Sequence, residues 1–429
     1  MPERVTLTRA DLDWLCALVD AATVSPFEGG DPAAVPLAQK LVEEGAAARG
    51  FARRRLDSPL PSMMDDSIVP LVVREAATAG FLVQQPSLVV ALGRPQPPER
   101  RIVVNFHIDT VGPHVPPRMA GRTLHGRGAV DDKGPGVAAA VGAAAAWAAA
   151  PWLNDAVEVQ IACVPGEEGG AMGSYGTRWL VDSGVAGRLN LFAEPTGGRV
   201  LDACSATMTP RLWVGGDDST DDHPNQGHNA TLALAFLAAW LGRHLDDRAA
   251  ALGAKLCVAG LHTGTTHNRV YGTGGLLLNI GYFDAVAGDA LAADVERLFA
   301  EAGPAFAAEF GASGIARRLV EDWNRVVHLD WLKRGLPPLA NRDPEMEALL
   351  ADCALPRHDG VADGTAFTCD AIWAGGRGGY VAICGPGHLD ANGAHTPGEY
   401  VDLDDLDEYA TRIRDLILRF GAHVDRRKP

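Results

Sequence analysis

The chain has 429 residues, 47% of them hydrophobic, with 38 basic against 54 acidic side chains and a formal net charge of −16. That length suits two or three domains, and the hydrophobic share marks a folding chain rather than a disordered one. The acid excess argues against a nucleic-acid or anionic-membrane partner, because phosphate contacts need a basic surface. With no basic-then-apolar leader, no apolar run of ~18 residues and seven scattered cysteines lacking any CxxC, it reads as a cytoplasmic protein with reduced thiols.

In chain order, residues 8–22 read as a helix capped by Thr8, and a second helix runs from an Asp31 cap to about Arg49, stopped by Gly50. Three short β-like runs follow: SLVVALG, RIVVNFHID and VEVQIACVPG. The first two are nearly continuous in apolar residues, as strands buried on both faces are, while the third begins by alternating. The alanine-rich helix 135–149, whose small side chains suit close packing, separates the second from the third, and LNLFAEPTG is a fourth run. This alternation predicts an α/β fold with a mostly parallel sheet.

After Ala203 the character changes. A strand, a polar loop and a helix lead to strands at KLCVAGLHT and GLLLNIGYF, a helix near 289–303 and a strand near 314–328. That is the β-α-β-β-α-β order of a small independent α+β, ferredoxin-like domain. A helix near 344–353, the strand YVAICGPG and a helix over 403–420 return to the α/β pattern. The expected organisation is therefore one α/β domain in two parts, 1–204 and 333–429, around an insertion at 205–332.

The ends of these strands carry the chemistry. RIVVNFHID closes on His107 and Asp109, two residues apart and so on one face of an extended strand. Such a histidine is either a metal ligand oriented by its carboxylate neighbour or a strand-end residue that simply hydrogen-bonds it. In HGRGAVDDKGPG, Asp131 and Asp132 open a helix. Aspartate there can cap the helix, or one carboxylate can bridge two cations through its two oxygens. The surrounding glycines match no dinucleotide or phosphate-loop pattern. Glu167 and Glu168 follow the third run in a glycine-rich turn, where adjacent like charges repel. Glu194 closes LFAEPTG, and His395 follows YVAICG after a loop. Ligands gather at the carboxyl ends of strands in an open α/β sheet, so with Asp131 these residues make a set of two histidines and three carboxylates, plus a spare glutamate.

Taken in order, HxD, GRGAxDDKG, PxEExG, AEPT and GPGxxxxxxxHTPxEY resemble the aminoacylase, carboxypeptidase G and succinyl-diaminopimelate desuccinylase family of metallohydrolases, over most of the chain. The resemblance implies an α/β catalytic domain with an inserted lid that mediates homodimerisation. It implies two divalent cations, zinc being the family's usual metal and manganese or cobalt alternatives. His107, Asp131 and Glu194 would hold one, and Asp131, Glu168 and His395 the other. Asp109 would orient His107, the Asp131–Asp132 peptide would be cis, and Glu167 would be the general acid/base. The implied reaction is hydrolysis of a small-molecule C–N bond, in an N-acyl amino acid or dipeptide, by an activated water.

The insertion departs from the family pattern. Pro224, Gly227, Asn229 and Ala230 fit the lid motif PxxGxNA, but Ser219 and Thr220 stand where its preceding histidine is expected. His223 and His228 are the nearby substitutes for contacting substrate. Asn268 fits a second lid motif, yet Gly281 occupies the place of the carboxylate-binding arginine, which leaves Arg269 as its replacement. These departures admit an alternative reaction, an aminohydrolase releasing ammonia from an aromatic or small amine on the same site. A non-catalytic metal-binding homologue would be expected to have lost Glu167 or a ligand, and none is lost.

Overall fold

The computed structural model describes residues 3–426, and the chain divides into two compact units. The first takes in the chain up to Asp66, Val72–Cys204 and the part from Leu339 on; the second takes in Ser67–Leu71 and Ser205–Pro338.

An eight-stranded sheet organises the first unit, in the order Ala52–Asp57, Ser87–Leu92, Glu158–Val164, Arg101–His107, Leu189–Pro195, Tyr380–Gly385, Val200–Leu201, Arg357–His358. Its four central strands, from Glu158–Val164 to Tyr380–Gly385, run parallel, and the first two strands pair antiparallel at one edge. This is the α/β class with a mostly parallel centre that the alternating elements predict. His107 pairs with Val164, so those two strands end level and the segments following them leave the sheet together.

The strand Glu158–Val164 corrects its own sequence pattern. It begins by alternating, yet all seven residues are buried. The polar positions go inside because partners meet them: Glu158 accepts from Arg54 Nε at 3.1 Å and Arg101 Nε at 2.9 Å. The helix Lys133–Ala149 packs along the final helix Leu403–Arg426 through small residues. A Cβ on Gly142 would stand 2.4 Å from the Ala410 carbonyl oxygen, so this approach requires glycine.

In the second unit, a four-stranded antiparallel sheet runs Lys255–His262, Thr273–Tyr282, Ala206–Gly215, Val327–Lys333. The helices Ala230–Ala251 and Ala285–Phe310 complete the ferredoxin-like arrangement. The strand expected near 314–328 is displaced. Those residues form a short turn, Gly314–Ala316, and the helix Arg317–Val326, with the strand following at Val327–Lys333. The helix wins because Leu319, Trp323 and Val326 recur at helical spacing and are the buried ones. Residue 332, taken as the end of the insertion, lies inside this last strand. Among the described residues no helix is long and apolar enough to cross a membrane.

Candidate metal centre

The carboxyl ends of the parallel strands gather the predicted residues. His107 Nε2 stands 2.9 Å from Asp131 Oδ1 and 3.9 Å from Glu194 Oε1. His395 Nε2 stands 3.1 Å from Asp131 Oδ2 and 3.1 Å from Glu168 Oε1. The two oxygens of Asp131 therefore face different histidines. Ligand-type atoms lie within 4.8 Å of one another in three overlapping groups: His107, Asp132 and Glu194; His107, Glu167 and Glu168; Asp131, Glu168 and His395. The Asp131–Asp132 peptide is cis.

Asp109 does its work differently from the expectation. Its backbone carbonyl, not its carboxylate, holds the His107 ring: Nδ1–H donates to Asp109 O at 2.8 Å, while the carboxylate stays 4.0 Å away. The strand ends at His107, so the alternation that would have set the two side chains on one face stops before Asp109. The freed carboxylate turns to the glutamate pair instead. It accepts backbone N–H groups from Gly166 at 2.8 Å, Glu167 at 3.3 Å and Glu168 at 3.1 Å. Gly166 enters this turn at φ +80°, a left-handed conformation natural to glycine. Three amides on one buried carboxylate fix the turn from which Glu167 and Glu168 project.

The electrostatics of the cluster call for a cation. Burial, then the neighbouring Glu168, pushes the Glu167 carboxyl well above the usual carboxylate range, and burial with Asp131 does the same to Glu194. Asp131 moves the other way: burial opposes its charge, but hydrogen bonds from His107 and His395 hold it low. Hydrogen bonds to Asp131 and Glu168 raise His395 to about 10. Lys133 supplies no balancing bond, since its buried ammonium donates to the Leu18 and Ala21 carbonyls, both at 2.9 Å. Asp132 Oδ1 is buried without a hydrogen-bond partner among the described residues. Clustered buried carboxylates with an orphaned oxygen, and histidine nitrogens aimed at carboxylate oxygens, fit divalent cations of the kind that accept mixed N/O donors.

Two acids in this neighbourhood were not singled out as site residues from sequence. Asp132 joins the donor groups, and the doubled aspartate was its available signal. Asp370 is buried, accepts from Thr177 Oγ1 at 2.5 Å and is raised to about 6 by burial. Its local sequence, FTCDAIW, carries no glycine turn or histidine that would mark it.

The candidate substrate contacts of the second unit fare unevenly. His228 is fully buried, its Nδ1 accepts Asp217 N–H at 2.8 Å and its Nε2 lies 2.9 Å from Asp322 Oδ2. Both ring nitrogens are committed, so His228 is a joint within the unit and not a free substrate contact. His223 is exposed in a turn, and Asn268 is exposed. Arg269 is exposed too, ion-paired with Asp218. Asn229 caps the helix Ala230–Ala251 by accepting Leu232 N–H at 3.0 Å.

An α/β unit with acids and histidines clustered at its strand ends, interrupted in sequence by a ferredoxin-like unit, defines the class of molecule. The profile of the peptidase family M20/M25/M40 matches residues 103–419, and the chain belongs to that family. A protein of Aeropyrum pernix provisionally named a LysW-lysine/LysW-ornithine hydrolase is 30% identical over 242 residues, covering 55% of this chain and 64% of that protein. A LysW-lysine/LysW-ornithine hydrolase of Sulfurisphaera tokodaii is 36% identical over 96 residues, 22% of this chain and 25% of that protein. The chain thus spans less than two thirds of the length of these curated relatives. Among solved structures, a dipeptidase from Saccharomyces cerevisiae superposes with a TM-score of 0.67 at 11% identity, covering 96% of each chain. An M20 family metallo-carboxypeptidase from Sulfolobus solfataricus gives 0.65 at 13% identity, covering 96% of this chain and 99% of that one. At such identities the likeness is one of fold.

Proposed function

We propose that this chain is a hydrolase of small-molecule C–N bonds of the amide type, dependent on two divalent cations, with Glu167 as its acid/base. The observation that carries the reading is the division of Asp131, one oxygen toward His107 and the other toward His395, with Glu167 beside them. His107, Asp131 and Glu194 would hold one ion, and Asp131, Glu168 and His395 the other. Zinc fits the family habit, and manganese or cobalt fits the carboxylate-rich donor set. Such ions, when bound, polarise a carbonyl and ease ionisation of water.

The chain's own residues do the rest. Glu167 takes a proton from the attacking water and passes it to the leaving nitrogen. Burial and Glu168 raise its pKa above the usual carboxylate range, and an acid/base must both accept and return a proton. Asp109 fixes the turn and, through its carbonyl, the His107 ring. The second unit is assigned the lid and homodimer contacts, and the chain a cytoplasmic setting, on the family resemblance and composition. Lysine and ornithine in the names of the relatives favour amides of basic amino acids within the N-acyl amino acid and dipeptide class.

The test is the product nitrogen. Zinc- or manganese-loaded protein is incubated with N-acyl amino acids, including N-acyl lysine and ornithine, with dipeptides and with aromatic amines. Free organic amine without ammonia is expected. Ammonia from an aromatic amine would replace this reading with the aminohydrolase one.

A further inference from the structure

The segment that carries His395 also carries Glu399, whose side chain leaves the cluster and enters the loop before Asp131. Glu399 is 1% exposed. Its Oε1 accepts backbone N–H groups from Gly128 at 2.9 Å, Val130 at 3.2 Å and Asp131 at 3.4 Å. Its Oε2 accepts from Arg127 Nη1 at 2.5 Å, and its backbone carbonyl from Gly126 N–H at 3.0 Å. One residue thus binds most of the stretch 126–131, although the two segments are more than 260 positions apart in sequence. Tyr400–Asp402 continues the attachment, pairing antiparallel with Thr123–His125.

The two histidine segments follow one plan. HxD brings His107 to the cluster and sends Asp109 onto the amides of the Glu167–Glu168 turn. HTPGE brings His395 to the cluster and sends Glu399 onto the amides of the Asp131 loop. We propose that Glu399 is a positioning residue: it fixes the separation of His395 from Asp131, and so sets the affinity for the cation that Asp131, Glu168 and His395 share. This rests on the two-cation reading above.

The chemistry requires a carboxylate. Three amide donors meet one oxygen and a guanidinium meets the other, so both oxygens must accept. Glutamine has nearly the same shape but presents N–H groups to one side or the other. Arg127 sharpens this demand, because it is 1% exposed and its Nε and Nη2 have no hydrogen-bond partner among the described residues. With Glu399 neutralised, a buried guanidinium loses its bonded countercharge and the His395 segment loses its tie to the Asp131 loop.

The experiment is a calorimetric titration of metal-free protein with zinc, for the wild type, Glu399→Gln, His395→Ala and the double variant, with circular dichroism and thermal unfolding in parallel. The wild type should take up two ions. Glu399→Gln should keep its secondary structure and bind one ion as before and the other about 10- to 100-fold more weakly, the usual cost of removing a group that orients a ligand. In the His395→Ala background, which retains one ion, Glu399→Gln should have no further effect on that ion. If Glu399→Gln does not fold, Glu399→Asp takes its place: it keeps the charge but cannot reach both partners, and the same ion should weaken. Unchanged affinity for both ions, with only a lowered melting temperature, would make Glu399 a purely structural residue and overturn the proposal. Equal weakening of both ions would overturn it as well. A wild type that takes up fewer than two ions would instead overturn the two-cation reading on which it stands.

Discussion

At the scale of single residues, Glu167 is distinguished by what surrounds it. It belongs to the His107–Glu167–Glu168 group, sits in a turn pinned by Asp109, and is raised by burial and by Glu168. Glu167→Gln keeps the shape and removes the base. Turnover should fall by about 10²- to 10⁴-fold, with zinc content and circular dichroism unchanged, and a variant keeping more than roughly a tenth of the wild-type rate would take Glu167 out of the chemistry. His107, Glu167, Glu168 and Glu194 were legible because each stands at or just after a strand end, which a run of apolar residues announces, and Asp131 because a doubled aspartate opens a helix. Partnership was not. Asp109 was read as the companion of His107 on one strand face, but the strand stops at His107 and the carboxylate serves the amides of another loop. Asp370 and Glu399 reach their partners across long sequence separations, and no local spacing encodes that.

At the scale of elements, composition misleads where a tertiary partner outweighs local pattern. The alternation that opens the 158–164 strand suggests one wet face, yet Glu158 is buried between Arg54 and Arg101. Burial opposes its charge, but the hydrogen bonds from Arg54, the Gln96 amide and Arg101 prevail and hold its pKa below the ordinary glutamate value. A carboxylate so depressed contributes stability in full above the unfolded pKa of about 4.3. It loses that contribution as pH falls through the lowered folded value. Glu158→Gln should therefore cost about 3 kcal/mol at pH 7 in denaturant unfolding, since it strips two arginines of their buried partner. The gap to wild type should narrow at pH 3, and a gap that stays the same size there would show that the loss is one of packing. The 317–326 helix teaches the converse. Its helical spacing of Leu319, Trp323 and Val326 was present in the sequence, and the expectation of a closing strand obscured it.

At the scale of the whole molecule, the acid excess divides into two kinds. Part of the −16 lies on the surface and serves solubility, but five carboxylates, Asp131, Asp132, Glu167, Glu168 and Glu194, converge on two histidines in the first unit. Solvent screens the first kind, whereas the second is sheltered from water and needs protons or cations to balance it. A cation that binds the folded chain and not the unfolded one must then stabilise it, by about 2.7 kcal/mol per site at a free concentration a hundred times the dissociation constant. The gain should be local. Adding zinc or manganese should slow amide exchange across 126–132, 166–170 and 393–399, the loops that carry or clamp the clustered side chains. Exchange in the strands 206–215 and 273–282 should stay as it was, because among the described residues no member of the clustered donor groups lies in the second unit. Chelation should reverse the change loop by loop. Protection that does not rise at all would mean that the acid cluster is balanced by protons alone, and the proposed hydrolase would lose its metal; a rise spread evenly over both units would take the cation away from the acid cluster.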